Sequence, residues 1–304
     1  MMRHFNLTFS RIDQLRRFFV TAIPYAWFLL LLFIPFLFVL KISLADRAPI
    51  SSPPYTALLT MTGDTMHIVL RFGNYLFMLS HAAFFLAFFE SIKIALITTV
   101  LCVLIGYPMA YAIAQARPGI RNILFALVIL PYWTSFLLRT YAWIVILENN
   151  GVVNKFLMHI KLITTPIHML YTNFSVNLGL LYGYLPFFIL PLYASLIKLD
   201  KTMLEAASDL GARPWKAFFK ITLPLSLPGV FAGALLVFIP AVGEVVIPQI
   251  LGGLNTLMIG NVIWQEFFVA NNWCVASALS VIMLIILVIP VVILQRIQSK
   301  RGPV

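Results

Sequence analysis

The stretch Glu205-Ala206-Ala207-Ser208-Asp209-Leu210-Gly211, followed nine residues later by Ile221-Thr222-Leu223-Pro224, is the longest polar run between two strongly apolar segments. Its local chemistry is legible residue by residue. Asp200 is placed to N-cap a helix from Lys201, its carboxylate accepting an orphan backbone N–H. Leu199 and Leu204 occupy the N′ and N4 positions of a hydrophobic staple. Gly211 suits the left-handed position that ends a helix, and Pro214 suits the first turn of the next one. The expectation is two short helices joined by a tight bend. Met203, Leu204, Ala207 and Leu210 fall on one face at helical spacing. The small Ala206 and Ala207 admit close approach by a partner. On periodicity alone the loop reads as an amphipathic connector packed under a bundle.

The segments around this loop belong in a membrane. Apolar residues make up 62% of the 304 and charged residues 10%, against about 25% charged in a soluble domain. A spanning helix needs roughly 20 apolar residues. Six segments meet that length, at about 22–44, 91–115, 121–147, 174–197, 225–250 and 275–295. The fold expected is an all-α integral membrane protein of six transmembrane helices, with the lipid bilayer as its surroundings. Its domains are a basic amphipathic segment at 1–21 and a membrane domain at 22–304, the polar loop region falling at about 198–224. Interleaved Phe5, Leu7, Phe9, Ile12, Leu15 and Phe18 with Arg11, Arg16 and Arg17 predict that the first segment lies on the membrane surface. A cleavage site after Ser43-Leu44-Ala45 is disfavoured, because the apolar run before it exceeds the usual 7–15 residues of a signal peptide.

Charge sets the orientation. Of the 21 basic residues, most gather on one side. Arg3, Arg11, Arg16 and Arg17 precede the first span. Arg117 and Arg121 lie in a tight turn, and Lys198, Lys201, Arg213, Lys216 and Lys220 in the polar loop. Arg296, Lys300 and Arg301 follow the last span. The positive-inside rule makes that side cytoplasmic, with both termini and the loop on it. The same rule accounts for the net charge of +11 without a nucleic-acid partner. The opposite side takes a long loop at 45–83, broken by Pro49, Pro53 and Pro54. It also takes Thr256–Trp273, read as a short surface helix.

Several chemistries are excluded. No G-x-x-x-x-G-K-[ST] phosphate loop, H-E-x-x-H pair or G-x-S-x-G elbow occurs, so neither ATP binding by that route nor hydrolysis is supported in this chain. Cys102 and Cys274 form no ligand spacing, and no metal site is expected. Charges inside spans are functional candidates by default. The fifth span carries Glu244 between Pro240 and Pro248, and a helical Pro248 would free the Glu244 carbonyl. Pro186 and Pro191 repeat the device in the fourth span. Arg139 lies at a depth similar to Glu244. A buried Glu244–Arg139 pair and a substrate contact both stay open. Tyr132, Trp133, Tyr141, Trp143, Tyr182 and Tyr184 cluster nearby. Tyr132, Trp133, Tyr182 and Tyr184 are pathway candidates, since aromatic faces attract ammonium groups. Trp143 reads better as part of the interfacial belt. Trp264, Glu266 and Trp273 suit either a docking contact or amphipathic packing.

The polar loop resembles, position for position, the EAA signature of permease subunits in type I, binding-protein-dependent ABC importers: E-A-A, three residues, G, nine residues, I-x-L-P. The runs Arg121-Asn122-Ile123-Leu124, Trp133-Thr134-Ser135-Phe136-Leu137, Val237-Phe238-Ile239-Pro240-Ala241-Val242-Gly243-Glu244 and Trp264-Gln265-Glu266-Phe267-Phe268 are similar to the putrescine and polyamine branch of that family. The resemblance implies that the first loop helix is a coupling helix seated in a cleft of an ATPase subunit. Carried over by motif position, Glu205, Ala206, Ala207 and Gly211 are its coupling residues, with Asp209 and Arg213 beside them. It further implies a second permease subunit, an ABC ATPase dimer that binds ATP and magnesium, and a periplasmic polyamine-binding protein. The cargo would be putrescine or a related polyamine crossing a bacterial inner membrane. A permease for another small solute and a secondary transporter using Glu244 are the alternatives.

Overall fold

The computed structural model describes residues 20–48, 50–62, 65–253 and 256–299. The basic segment expected at 1–21 lies almost wholly outside them, as do Lys300 and Arg301. Among the described residues, five unbroken helices are long and apolar enough to cross a membrane: α1 (Val20–Ser43), α3 (Ala82–Gln115), α7 (Asn173–Leu196), α9 (Pro214–Val242) and α11 (Trp273–Ser299). A bent pair of helices meets the same length and composition when its two arms are taken together. The described residues divide into two compact units, 20–80 with 266–282, and 81–265 with 283–299.

In the first unit the loop after α1 is more ordered than its prolines suggest. β1 (Leu59–Thr62) and β2 (Thr65–Ile68) pair antiparallel, Leu59 opposite Ile68 and Thr62 opposite Thr65. These segments are rich in threonine and other strand-favouring residues. A short helix, α2 (Gly73–Ser80), follows. Asn74 ties it back to α1, donating to the carbonyls of Ser43 and Ala45 at 2.9 and 2.8 Å. Arg71 pairs with Asp46, and Arg47 donates to the Ala270 carbonyl at 2.5 Å. Trp273 stacks on Phe267 with ring centroids 4.8 Å apart.

The second unit is built on α3, α7 and α9, which pack on one another. In lipid, apolar burial does not drive helices together, so close approach at small residues does. A Cβ on Gly106 would stand 2.5 Å from the Phe188 ring, and one on Gly233 would stand 2.8 Å from the Phe188 carbonyl oxygen. Phe188 is wholly buried between them, with Leu192, Val237 and Cys102 around it. Buried polar groups are paired across the helices. Tyr107 bonds Ser226 at 2.8 Å and Thr98 bonds Asn177 at 3.1 Å. A second cluster joins Ile94, Leu147, Val176, Leu180, Ile247 and Met258 toward the other end.

The third and fifth spans differ from the sequence reading. The third, expected at about 121–147, is broken. The segments Pro118–Trp133 and Phe136–His159 meet at 91°. We label their helices α4 (Pro118–Ile129), α5 (Phe136–Leu147) and α6 (Val152–His159). Pro131 cannot donate a helical hydrogen bond. The chain tightens into a 3₁₀ turn at Leu130–Trp133 and then extends at Thr134 (φ −91°, ψ 154°). The fifth span begins earlier than expected. The second short loop helix is not separate but forms the first turns of α9. A π turn at Phe218–Thr222, in which the Leu223 N–H reaches the Phe218 carbonyl, carries the helix past Pro224. The fifth span also ends earlier, at Val242, because the Glu244 carboxylate accepts the Val246 N–H at 3.1 Å and starts a new turn.

The short helix expected in Thr256–Trp273 exists as α10 (Ile259–Trp264), but its start is buried rather than at the surface. Ser91 of α3 accepts the Ile259 N–H at 2.7 Å. A Cβ on Gly260 would lie 2.6 and 2.7 Å from the carbonyl oxygens of Gly243 and Glu244.

Candidate functional site

The polar loop folds as its caps dictate. α8 spans Lys201–Asp209. Asp200 accepts the Thr202 N–H at 3.0 Å, and that bond holds its carboxyl below the ordinary carboxylate value. At the other end the Gly211 N–H reaches the Ser208 carbonyl and the Ala212 N–H reaches Ala207, each at 2.9 Å. Together these two bonds are a Schellman motif. Gly211 stands at φ +77°, where a side chain would be strained. The loop has two faces. Leu204 and Ala207 turn inward, Ala207 being 9% exposed. Glu205, Ala206, Asp209, Gly211 and Arg213 turn outward. The small size of Ala207 therefore serves packing within the chain, and only Ala206 offers close approach from outside. Leu210 and Trp215 flank the bend at 88% and 74% exposed.

A second constellation lies at the break after α9. The Glu244 carboxylate accepts the Tyr184 hydroxyl at 2.5 Å through one oxygen and the Val246 N–H through the other. Tyr184 comes from α7, so the contact joins two spans. From it runs a chain of rings. Phe187 lies 6.1 Å from Tyr184, and Tyr132 meets Phe187 edge-on at 5.4 Å. The Tyr132 hydroxyl donates to the Gly183 carbonyl, next to the Tyr182 carbonyl that Pro186 leaves without a helical N–H. The Arg139 guanidinium sits 4.8 Å from the centre of the Tyr132 ring and 6.0 Å from that of Tyr182. Trp143 closes the chain against Tyr182 at 5.7 Å.

The expected residues are thus only partly assembled. Glu244, Tyr184, Tyr132, Tyr182 and Arg139 are brought together. Trp133, 84% exposed, stands outside the cluster, as does Tyr141. Glu244 and Arg139 do not form the ion pair considered from their depth. Glu244 takes its bonds from Tyr184 and Val246, and Arg139 takes ring faces, its buried Nε lacking a partner. Phe187 was missed by sequence reasoning. The available signal was its position three residues after Tyr184 on one helix face. Trp143, assigned to the interfacial belt, belongs to the ring chain. Beside Tyr132 and Tyr182 opens an apolar cavity of about 400 Å³, walled by α3, α4 and α7. Among the described residues no three His, Cys, Asp or Glu side chains are grouped to hold a metal.

The profile of the family described as "Binding-protein-dependent transport system inner membrane component" matches residues 102–301. The spermidine/putrescine transport system permease protein PotB of Haemophilus influenzae is 38% identical over 260 residues, covering 86% of each chain. PotB of Escherichia coli is 36% identical over 261 residues, covering 86% of this chain and 90% of its own. Among solved structures, a bacterial ABC transporter importing the polysaccharide alginate contains a chain with the same fold. Its TM-score is 0.68 at 17% identity, over 97% of this chain and 99% of that one. A chain of the inward-facing methionine transporter MetNI aligns with a TM-score of 0.54 at 19% identity, over 71% of this chain and 95% of its own. With this profile match, and relatives aligned over most of both lengths, the chain belongs to the inner membrane components of binding-protein-dependent transport systems, the permeases of ABC importers.

Proposed function

We propose that this permease carries putrescine or a related polyamine inward across the bacterial inner membrane, driven by ATP hydrolysed on separate subunits. The observation that carries the substrate is the identity of 36–38% over 86% of the chain to permeases named for spermidine and putrescine. The Glu244 constellation gives that substrate a chemical counterpart. A carboxylate at a break in a span, joined through Tyr184 to a chain of aromatic rings, suits an ammonium group on a methylene chain. Glu244 is the cation contact and Tyr184 positions its carboxylate. Tyr132 and Tyr182 offer ring faces that Arg139 occupies at rest. Trp133 is left for the pore or a neighbouring subunit.

The rest of the machine is borrowed. Both termini and the loop at 198–213 face the cytoplasm, as the distribution of basic residues indicates. Two ATPase subunits hold ATP and magnesium and dock on α8 and its counterpart in a second, similar permease subunit. Glu205, Ala206, Gly211 and the flanking Asp209 and Arg213 form the docking surface, with exposed Leu210 and Trp215 at its rim. A periplasmic binding protein delivers the polyamine from the other side. Closure of the ATPases draws the coupling helices together and turns the pathway outward. Hydrolysis reverses it, so the cycle is alternation between two states biased by their ligands.

Complementation tests the substrate. Cells that cannot make or import polyamines should regain growth on micromolar putrescine or spermidine when given this permease with its neighbouring transport genes. Failure on both polyamines, with the proteins present in the membrane, rejects the assignment.

A further inference from the structure

Where α7 runs out into the coupling loop, a groove of about 520 Å³ opens between its last turns and α9, apart from both the loop surface and the Glu244 cluster. Its lining from α7 is Pro191, Ala194, Ser195 and Lys198, at the i, i+3, i+4, i+7 spacing of one helix face. Leu225 and Pro228 face them from α9. Gly229 brings the two helices together here, since a Cβ on it would stand 2.5 Å from the Ser195 Cβ and 3.0 Å from the Pro191 carbonyl oxygen. Lys198, just past the end of α7 at Leu196, is exposed. It forms no ion pair or hydrogen bond with any described residue. The nearest carboxylate in sequence, on Asp200, is engaged by the Thr202 N–H.

The groove changes character along its length. Toward the middle of the span its lining is apolar, at Pro191, Ala194, Leu225 and Pro228, and toward the loop it ends in the Ser195 hydroxyl group and the Lys198 ammonium group. Apolar walls do not hold water, so at this depth they take hydrocarbon or protein. The lysine selects between the two. An apolar groove between spanning helices with a cation at its mouth has the polarity of a phospholipid standing in the adjoining leaflet. We propose that this groove holds one anionic phospholipid from the leaflet on the side of the coupling loop. Its phosphate pairs with Lys198, and an acyl chain lies over Ala194, Leu225 and Pro228. The lipid thus sits at the joint where α7 ends and Asp200 caps α8, and transport should respond to the anionic lipid content of the membrane. That consequence rests on the coupling role proposed for α8, whereas the binding does not.

The test uses the whole importer in phosphatidylcholine nanodiscs and requires no transport. Two photoreactive phospholipids carry the same diazirine-bearing acyl chain, one with a phosphatidylglycerol headgroup and one with phosphatidylcholine. Each is added as a trace, and after irradiation the label on residues 191–199 and 225–229 is read by mass spectrometry. The phosphatidylglycerol probe should label them roughly fivefold more, the preference that one lysine gives an anionic headgroup. Lys198→Gln should bring the two probes level. Ala194→Phe, which fills the groove from an exposed position, should lower labelling by both. The proposal is overturned if the two probes label the wild type equally, if the preference survives Lys198→Gln, or if Ala194→Phe changes nothing. It is also overturned if neither probe labels the groove, and crosslinking of Ala194→Cys to a second permease subunit would then identify a seam between subunits. Uptake indifferent to anionic lipid, with the labelling preference intact, would instead count against the coupling role of α8.

Discussion

In the proposed pathway, transport of a cation depends most on Glu244. Replacing it by glutamine keeps the shape and one of the two accepted hydrogen bonds but removes the charge. A hydrogen bond to a charged group contributes about 1.5–3 kcal/mol, so Glu244→Gln should lower polyamine uptake roughly tenfold to a hundredfold. Equal uptake by variant and wild type would remove Glu244 from the pathway. Exchanging Arg139 and Glu244 should not restore activity, because the two do not pair. Restored uptake in that double variant would reinstate the pair. Why the sequence left this open is physical. Depth along a span follows from counting residues, and that count puts Glu244 and Arg139 at similar depth. Direction around the helix did not follow, because the chain breaks at Gly243–Val245 and Glu244 turns to cap the next helical turn. Its partner Tyr184 is 60 residues away, and only helix packing brings it there.

At the scale of elements the loop helix was legible because its signals are local. Asp200, Leu199, Gly211 and Pro214 act within a few residues of themselves, and each does what its chemistry dictates. Gly211→Ala forces a side chain into the left-handed region at a cost of about 1–2 kcal/mol. We expect faster hydrogen exchange at 207–212 and weaker substrate-stimulated ATPase activity. Unchanged exchange and activity would show the bend to be dispensable. The Asp200 cap carries a pH sign. Its folded pKa lies below the ordinary 3.8, so its stabilisation is present above that value and lost as pH falls through the lowered one. Amide protection at 201–205 should hold from neutral pH to well below 5, and Asp200→Asn should remove the remaining acid dependence. A loss of protection near pH 6 would contradict this. The third span was misread because hydropathy measures composition, not continuity. Pro131 and the extended Thr134 bend the chain without making it less apolar.

At the scale of the molecule, α3, α7 and α9 pack by close contact at glycines. Gly233→Ala places a methyl 2.8 Å from a backbone oxygen of Phe188, which cannot swing aside. Overpacking of this kind costs about 1–3 kcal/mol. The purified protein should unfold at a lower temperature with its coupling loop unchanged, and an unaltered midpoint would contradict the packing. Orientation is testable with one added cysteine, since Cys102 and Cys274 are both buried. A membrane-impermeant thiol reagent should label Ser208→Cys in inverted vesicles and not in intact spheroplasts. The reverse pattern would turn the molecule over. Six apolar segments and their flanking charges made this architecture readable, whereas the ordered hairpin between α1 and α2 was not. Its prolines and short strands give no apolar periodicity to read.

The central claim joins the loop to a separate motor and Glu244 to a polyamine. The most direct measurement is putrescine and spermidine accumulation in proteoliposomes holding this permease, its partner permease and the ATPase, with binding protein added outside and ATP enclosed. The account predicts accumulation that needs all components, ceases when the ATPase or ATP is omitted, and falls sharply in Glu244→Gln. Accumulation that persists without the ATPase would contradict it.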